Sequence, residues 1–157
     1  MTNTNNFGKQ HLELKLLLSE STATPGMTIQ ADVQLTNRGD STMIVNTRLG
    51  MGYPESDDRE LYCQIQLQSG EDYLGYQAFQ VDYQRKALDR ESFRALKPGD
   101  TIRATFDLQF WYRLTQPGEY QIRVVYEPEP FPAEPELALG PVSSPPVAFT
   151  VQPANDP

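Results

Sequence analysis

The stretch that decides the fold is LKPGDTIRATFDLQFWYRLTQPGEYQIRVVY, which runs from Leu96 to Tyr126. It holds two segments in which apolar and polar residues alternate, and a Pro-Gly pair precedes each of them. The apolar positions are Ile102, Ala104, Phe106, Leu108 and Phe110 in the first segment, and Tyr120, Ile122, Val124 and Tyr126 in the second. Successive side chains of a strand point to opposite faces of a sheet, so this alternation predicts two strands with one buried and one solvated face.

Similar alternation recurs on both sides of this stretch, and turn residues separate the segments. It predicts strands at His11–Leu18, Met27–Thr36, Met43–Leu49, Leu61–Leu67 and Pro146–Gln152, with a less regular one at Tyr76–Tyr83. Gln84–Ala95 is ambiguous and has room for one helical turn. No segment shows a helical period of useful length, so we predict an all-β fold, an antiparallel β-sandwich of seven or eight strands. Its predicted core is Leu14, Leu16, Ile29, Val33, Leu35, Ile65, Phe106, Leu108, Tyr120, Ile122, Val124 and Phe149.

Length and charge limit the organisation and the partners. A chain of 157 residues is most simply one domain, here a sandwich at 11–152 between a flexible arm at 1–10 and a flexible tail at 153–157. A formal net charge of −8 argues against a nucleic-acid partner, because phosphate contacts need clustered Lys and Arg.

Compartment is predicted from the single cysteine and the N-terminal residues. Cys63 has no second cysteine for an intrachain disulfide, and residues 1–10 lack the basic and then apolar pattern of a secretory signal. No apolar run approaches the length that spans a bilayer. We therefore expect a cytoplasmic protein with no membrane partner.

The segment Leu114–Ile122, LTQPGEYQI, resembles the corner between strands E and F of immunoglobulin-like sandwiches. In that superfamily a tyrosine at the start of strand F donates a hydrogen bond back to the corner, and Tyr120 would fill this role here. The turn Leu96–Asp100, LKPGD, and the N-terminal succession of Pro-Gly, alternating strand and Thr-Asn turn look like bacterial members of the superfamily. The bacterial intracellular proteinase inhibitors and the fibronectin type III-like modules are two such groups. The resemblance implies an immunoglobulin-like fold and a bacterial source.

Residues typical of catalysis or metal binding are few. His11 is the one histidine, and we expect it to be an exposed residue at a strand end and not a general base. Cys63 falls on the apolar face of a predicted strand and is expected in the core, and one His with one Cys does not make a zinc site. Asp57, Asp58 and Glu60 lack the spacing of a calcium loop, so solvated loop charges are expected. We predict a non-enzymatic chain without metal or cofactor.

The segment Glu127–Pro146 is unusual in composition. It contains seven of the 13 prolines and four glutamates, with no Lys or Arg, and such a composition favours extended polyproline II. We predict it to be one long Pro/Glu-rich loop, and long connections in compact domains are usually either functional or disordered. Phe131, between two prolines, would be a preorganised apolar anchor, with Glu129 and Glu134 steering a basic partner. The alternative is a structural loop in which Phe131 covers the core.

Three functions remain open. The first is a protein–protein interaction module that uses the sandwich end carrying Glu127–Pro146, with Gly50–Asp58 as a possible neighbour, or an exposed edge strand. The second is a proteinase inhibitor that offers one rigid loop to a protease. The third is a small hydrolase or a carbohydrate-binding domain, for which Trp111, Tyr112 and Tyr53 would lie exposed on one flat face. We favour the first because no catalytic set is present and because sandwiches display loops at their ends. The sequence leaves the partner's identity and the oligomeric state open.

Overall fold

The computed structural model describes residues 11–52, 59–68, 92–112, 114–128 and 141–153. These residues form an all-β fold with one short helix, α1 (Leu108–Tyr112). The strands are β1 (Leu12–Leu18), β2 (Thr22–Ala23), β3 (Gln30–Asn37), β4 (Met43–Asn46), β5 (Leu61–Leu67), β6 (Phe93–Leu96), β7 (Thr101–Asp107), β8 (Gly118–Tyr126), β9 (Val142–Ser143) and β10 (Val147–Val151). The predicted strand Tyr76–Tyr83, the predicted arm at 1–10 and residues 154–157 of the predicted tail lie outside the described residues.

Two sheets carry most of the fold. The first has three antiparallel strands in the order β1-β3-β7. The second has the order β2-β10-β8-β5, with β9 also paired to β8. In this second sheet β2 runs parallel to β10, and the other pairs are antiparallel. β4 and β6 form a separate antiparallel ribbon.

The inward faces of both sheets share one hydrophobic core. The alternation seen in the sequence is the alternation of burial: β1 buries Leu12, Leu14 and Leu16 and exposes the residues between them. All the predicted core residues are buried except Phe106, which is half-buried. Period-two patterning therefore identifies the core face of these strands correctly, because one face of each strand is covered and the other is solvated.

The prediction of a continuous strand through Phe110 is wrong at its C-terminal end. β7 ends at Asp107, and α1 follows immediately. The Asp107 carboxylate accepts hydrogen bonds from the backbone N–H of Gln109 at 3.0 Å and of Ile29 at 3.3 Å. Such local bonds from an aspartate favour the start of a helical turn over a continued strand. Phe110, predicted to face the core, is 50% exposed.

Two other strands begin or end inside their predicted ranges. β3 begins at Gln30, and Met27, predicted to point inward, is exposed. The Met27 backbone N–H donates to the carbonyl of Thr24, and Gly26 has φ 82°, so the chain is still in a turn at this point. β4 ends at Asn46, before the predicted end at Leu49.

Two short strands lie where the sequence predicted other structure. β6 occupies part of the ambiguous Gln84–Ala95 region, and its burial pattern, with only Phe93 and Leu96 buried, does not alternate. β9 lies inside the predicted loop Glu127–Pro146, where Val142 pairs with Tyr126. The predicted loop is therefore interrupted by a return to the sheet.

Candidate functional site

The segment predicted to form the binding surface is only partly described by the structure. Phe131, Glu129 and Glu134 lie outside the described residues. The structure describes where their segment leaves the sheet, at Glu127, and where it returns, at β9. The candidate site is therefore built from the residues that hold this departure point.

Glu127 is held by two residues that precede β5. Its backbone N–H donates to the carbonyl of Glu60 at 2.8 Å, and its own carbonyl accepts a hydrogen bond from Arg59 Nη1 at 2.6 Å. The Glu127 carboxylate also pairs with Arg59 Nη2 at 3.3 Å. The Arg59 guanidinium lies over the Tyr62 ring, 4.4 Å from its centroid, which orients it further. The residues that end the 47–60 connection therefore fix the first residue of the Pro/Glu-rich segment.

The Glu60 side chain is held in place by Arg48 and Gly50. Its side chain is fully buried and forms a bidentate pair with Arg48, with Nε to Oε1 at 2.8 Å and Nη2 to Oε2 at 2.6 Å. The Gly50 backbone N–H donates to the same carboxylate at 2.8 Å. Burial of a carboxylate is tolerated only when such charged and neutral donors replace its water. The expectation that Glu60 is a solvated loop charge is wrong, and Asp57 and Asp58 lie outside the described residues.

The turn that brings Arg48 to Glu60 is strained. Leu49 has φ 47°, in the left-handed region that non-glycine residues seldom adopt. This conformation costs roughly 1–2 kcal/mol for an L-residue. It is held by the Glu60 contacts and by backbone hydrogen bonds from Glu60 and Leu61 to the Gly50 carbonyl, at 2.9 and 3.0 Å. We refer to Arg48, Arg59, Glu60 and Glu127 as the polar base.

Asn46 and Tyr126 extend the polar base into the core. The Asn46 backbone N–H donates to the Tyr126 hydroxyl at 2.8 Å, and Asn46 Oδ1 accepts from the Arg48 backbone N–H at 3.0 Å. Burial, and to a lesser degree the Glu60 carboxylate, raises the pKa of Tyr126, so it remains a neutral phenol. Asn46 Nδ2, which is buried, has no hydrogen-bond partner within the part of the chain that the structure describes.

Tyr112 links the connection between β4 and β5 to β5 itself. Its hydroxyl donates to the Gly52 carbonyl at 3.0 Å and accepts from the Cys63 backbone N–H at 2.7 Å. Tyr112 is fully buried, so it does not form with Trp111 the exposed aromatic face that a carbohydrate-binding domain would need. Trp111 is half-buried, and Tyr53 lies outside the described residues.

The Tyr120 hydroxyl donates a hydrogen bond to the backbone carbonyl of Gln116, within the corner Leu114–Pro117 where the sequence predicted its partner. Tyr120 itself is buried. This bond ties the start of β8 to the connection that precedes it.

Three further features bear on catalysis or metal binding: His11, Cys63 and the grouping of possible metal ligands. His11 is half-buried directly before β1, and its carbonyl accepts from the Arg38 backbone N–H at 2.7 Å. Burial raises the pKa of the Cys63 thiol to about 12, which makes it a poor nucleophile. Over the described ranges, no three His, Cys, Asp or Glu residues are grouped to hold a metal ion.

A shallow polar groove lies on the outer face of the second sheet. Gln64 and Gln66 of β5, Gln121 and Arg123 of β8, and Pro146 line about 210 Å³. The groove is small and mostly polar, unlike the deeper apolar pockets that usually hold small molecules. It does not include any residue of the polar base.

Comparison of the chain with models of known protein families and with curated proteins found no match. In the described residues, no helix has the length and apolar character needed to span a bilayer. The polar base is therefore interpreted from its own geometry.

Proposed function

We propose that this chain is a non-enzymatic interaction module that presents the segment Glu127–Pro146 to another protein. The observation that carries the proposal is the fixation of Glu127, whose N–H, carbonyl and carboxylate all have partners in the 59–60 stretch. A segment with a fixed root loses less conformational entropy on binding, and its prolines reduce that loss further. The fixed root therefore favours a displayed binding segment over a loose spacer.

Within this proposal, Phe131 is the apolar anchor. It follows Glu127 by four residues and lies between two prolines. Glu129 and Glu134 flank it in a segment without basic residues, so the proposed partner carries a basic surface around an apolar pocket. Aromatic anchors in such pockets often dominate the binding energy.

The proposed architecture is an immunoglobulin-like sandwich. Two features support it: the strand pairings β1-β3-β7 and β5-β8-β10 match strands A-B-E and C-F-G of that fold, and Tyr120 bonds to the corner before β8. One feature departs from it, because β6, fourth in the corresponding chain order, pairs with β4 and not with β7. The buried free thiol of Cys63 supports the cytoplasmic setting that we propose with it.

A proteinase inhibitor is the second candidate, because a loop with a fixed root also suits the cleft of a protease. The two functions differ in the identity of the partner and in its fate. An inhibitor would bind a protease at one-to-one stoichiometry, abolish its activity and keep its own loop uncleaved. A carbohydrate-binding face is not proposed, because Tyr112 is buried.

The test begins with capture of partners by the full chain from a lysate of the source organism, followed by identification and purification of the captured protein. Affinity is then measured by calorimetry for the wild type, for Phe131→Ala and for the double variant Glu129→Gln/Glu134→Gln. Phe110→Ala is the matched control, because it removes an exposed phenylalanine that belongs to α1 and not to the segment Glu127–Pro146.

The proposal predicts that Phe131→Ala weakens binding roughly thirtyfold, as expected for an aromatic anchor, while Phe110→Ala has no effect. The double glutamine variant should weaken binding less and reduce its salt dependence. Unchanged binding together with reduced stability of Phe131→Ala would show that Phe131 covers the core, and it would overturn the proposal.

A further inference from the structure

β7 differs from the other long strands in how its inward face is covered. Ile102, Ala104 and Phe106 are only half-buried, whereas β1 and β3 bury their inward residues. β7 also lies at the edge of its sheet, beside β3. Apolar surface at this edge is therefore incompletely covered by the described part of the chain.

The register of β7 with β3 determines which backbone N–H and C=O groups of β7 bond to β3 and which point away from it. Leu108 N–H donates to the Ile29 carbonyl at 2.8 Å, and Asn37 N–H donates to the Asp100 carbonyl at 3.1 Å. Hydrogen-bonded and non-hydrogen-bonded pairs alternate along an antiparallel ladder. With Ala104 opposite Val33, the even-numbered residues of β7 therefore bond to β3. The N–H and C=O groups of its odd-numbered residues point away from β3, to the edge at which no other described strand pairs with β7.

Two charged side chains on the outer face of β7 complement each other. Arg103 is exposed and has no ion pair among the described residues. Four positions along, Asp107 uses Oδ1 to accept its two backbone hydrogen bonds. Its second oxygen, Oδ2, accepts none from the residues that the structure describes, although a carboxylate has capacity for more.

We propose that two copies of this chain associate by antiparallel pairing of their β7 strands about a two-fold axis at Thr105. In this register Arg103 lies opposite Asp107 of the second copy, and the symmetry forms this pair twice. Ala104 lies opposite Phe106 of the second copy, so a small residue faces a large one on the inward side. The pairing joins the three-stranded sheets of both copies into one and covers the half-buried apolar residues.

Nearby symmetric registers fit less well. An axis at Phe106 places Arg103 opposite Gln109 and Asp107 opposite Thr105, so no opposite charges are paired. An axis at Arg103 places the two Arg103 side chains directly opposite each other, and like charges in that position destabilise a strand pair. An axis at Ala104 places Arg103 opposite Thr105, and Asp107 opposite Thr101, so no opposite charges are paired. Only the axis at Thr105 pairs the charges.

Exposed charges on an edge strand usually protect it from association, so the two roles of Arg103 make different predictions. If Arg103 protects the edge by its charge, reversal to glutamate keeps a charge there and does not weaken association. If Arg103 pairs with Asp107 of a second copy, its reversal weakens association. This difference makes Arg103 the residue to change.

The experiment is sedimentation velocity of the full chain from about 1 µM to about 1 mM, the range of weak and transient interfaces. The wild type should show a concentration-dependent dimer, and Arg103→Glu should raise the dissociation constant roughly tenfold or more, because two pairs become repulsive. Arg123→Glu is the matched control, since it makes the same charge change on β8, away from this edge. It should leave the dimer unchanged.

Thr105→Cys tests the register independently of charge. Paired residues at the axis have Cα atoms about 5.5 Å apart, within reach of a disulfide. Thr105→Cys should therefore cross-link under mild oxidation, and Ala104→Cys should not, while the native Cys63 is buried. A wild type that is monomeric throughout, unchanged or stronger association of Arg103→Glu, or no selective cross-link at residue 105 would overturn the proposal.

Discussion

Two Arg–Glu pairs in this chain have similar N···O distances and very different surroundings. In the polar base, Arg48 and Glu60 are 2.6 Å apart, and their side chains are 25% and 0% exposed. On the outer face of the first sheet, Arg38 and Glu13 are 2.9 Å apart, with side chains 62% and 49% exposed. Distance alone would rate the two pairs as equivalent.

Burial is what separates them. An exposed pair is screened by water and salt, and it must hold two long side chains in one geometry, so it contributes little. A buried pair has lost its hydration, and removal of one partner leaves a charge with neither water nor counter-ion. The buried pair therefore fixes the backbone from which the Pro/Glu-rich segment departs. The exposed pair contributes little to the stability of the fold.

The largest effect is expected for Glu60→Gln. The substitution keeps the size of the side chain but removes the buried negative charge that pairs with the Arg48 guanidinium, so stability should fall by about 3–5 kcal/mol. Urea unfolding followed by circular dichroism measures this change. A loss below about 1 kcal/mol would show that the buried pair behaves like an exposed one.

Tyr120→Phe removes a partly buried hydrogen bond between two neutral groups, and it therefore falls between the buried and the exposed ion pair. The Gln116 carbonyl would lose its donor, at a cost of about 1–3 kcal/mol. The same unfolding assay applies, and an unchanged midpoint would mean that the corner contributes no stability.

Arg59→Met supplies an intermediate case. The Arg59 side chain is 9% exposed, but its partner Glu127 is 43% exposed. Met retains much of the aliphatic stem and loses the hydrogen bonds to Glu127, so we expect a loss of about 1–2 kcal/mol. Hydrogen exchange of the Glu127 backbone amide should also become faster, because Arg59 would no longer hold this residue in place. An exchange rate at Glu127 equal to that of the wild type would contradict the conclusion that Arg59 fixes this residue.

The smallest effect is expected for Glu13→Gln. It should change stability by no more than about 0.5 kcal/mol, and this difference should vanish in high salt. A loss of stability close to that of Glu60→Gln would show that burial does not distinguish the two pairs.

Alternation was sufficient to predict the longer strands that the structure describes and the core faces of those strands. Leu61–Leu67 matches its predicted range because one of its faces is buried and the other solvated along most of its length. The pattern failed where a local hydrogen bond overrode it. Alternation continues to Phe110, yet the Asp107 carboxylate captures the Gln109 N–H and starts α1.

The polar base could not be predicted in the same way. Arg48 and Glu60 are twelve positions apart on an irregular connection, and no period relates them. A weak signal was present, since Arg59 and Glu60 directly precede the buried Leu61, which places two charges beside the core. Their partners depend on tertiary contacts that a single sequence does not encode locally. Phe131, Glu129 and Glu134 remain predictions.

The most direct test of the account is a pair of double-mutant cycles, one on Arg48→Met with Glu60→Gln and one on Arg38→Met with Glu13→Gln. Each cycle isolates the coupling energy of its pair from the other effects of the substitutions. We predict a coupling energy of about 2 kcal/mol or more for the buried pair and below about 0.5 kcal/mol for the exposed one. Equal coupling energies, or a smaller value for Arg48 with Glu60, would contradict the claim that the buried pair fixes the residues from which the Pro/Glu-rich segment departs.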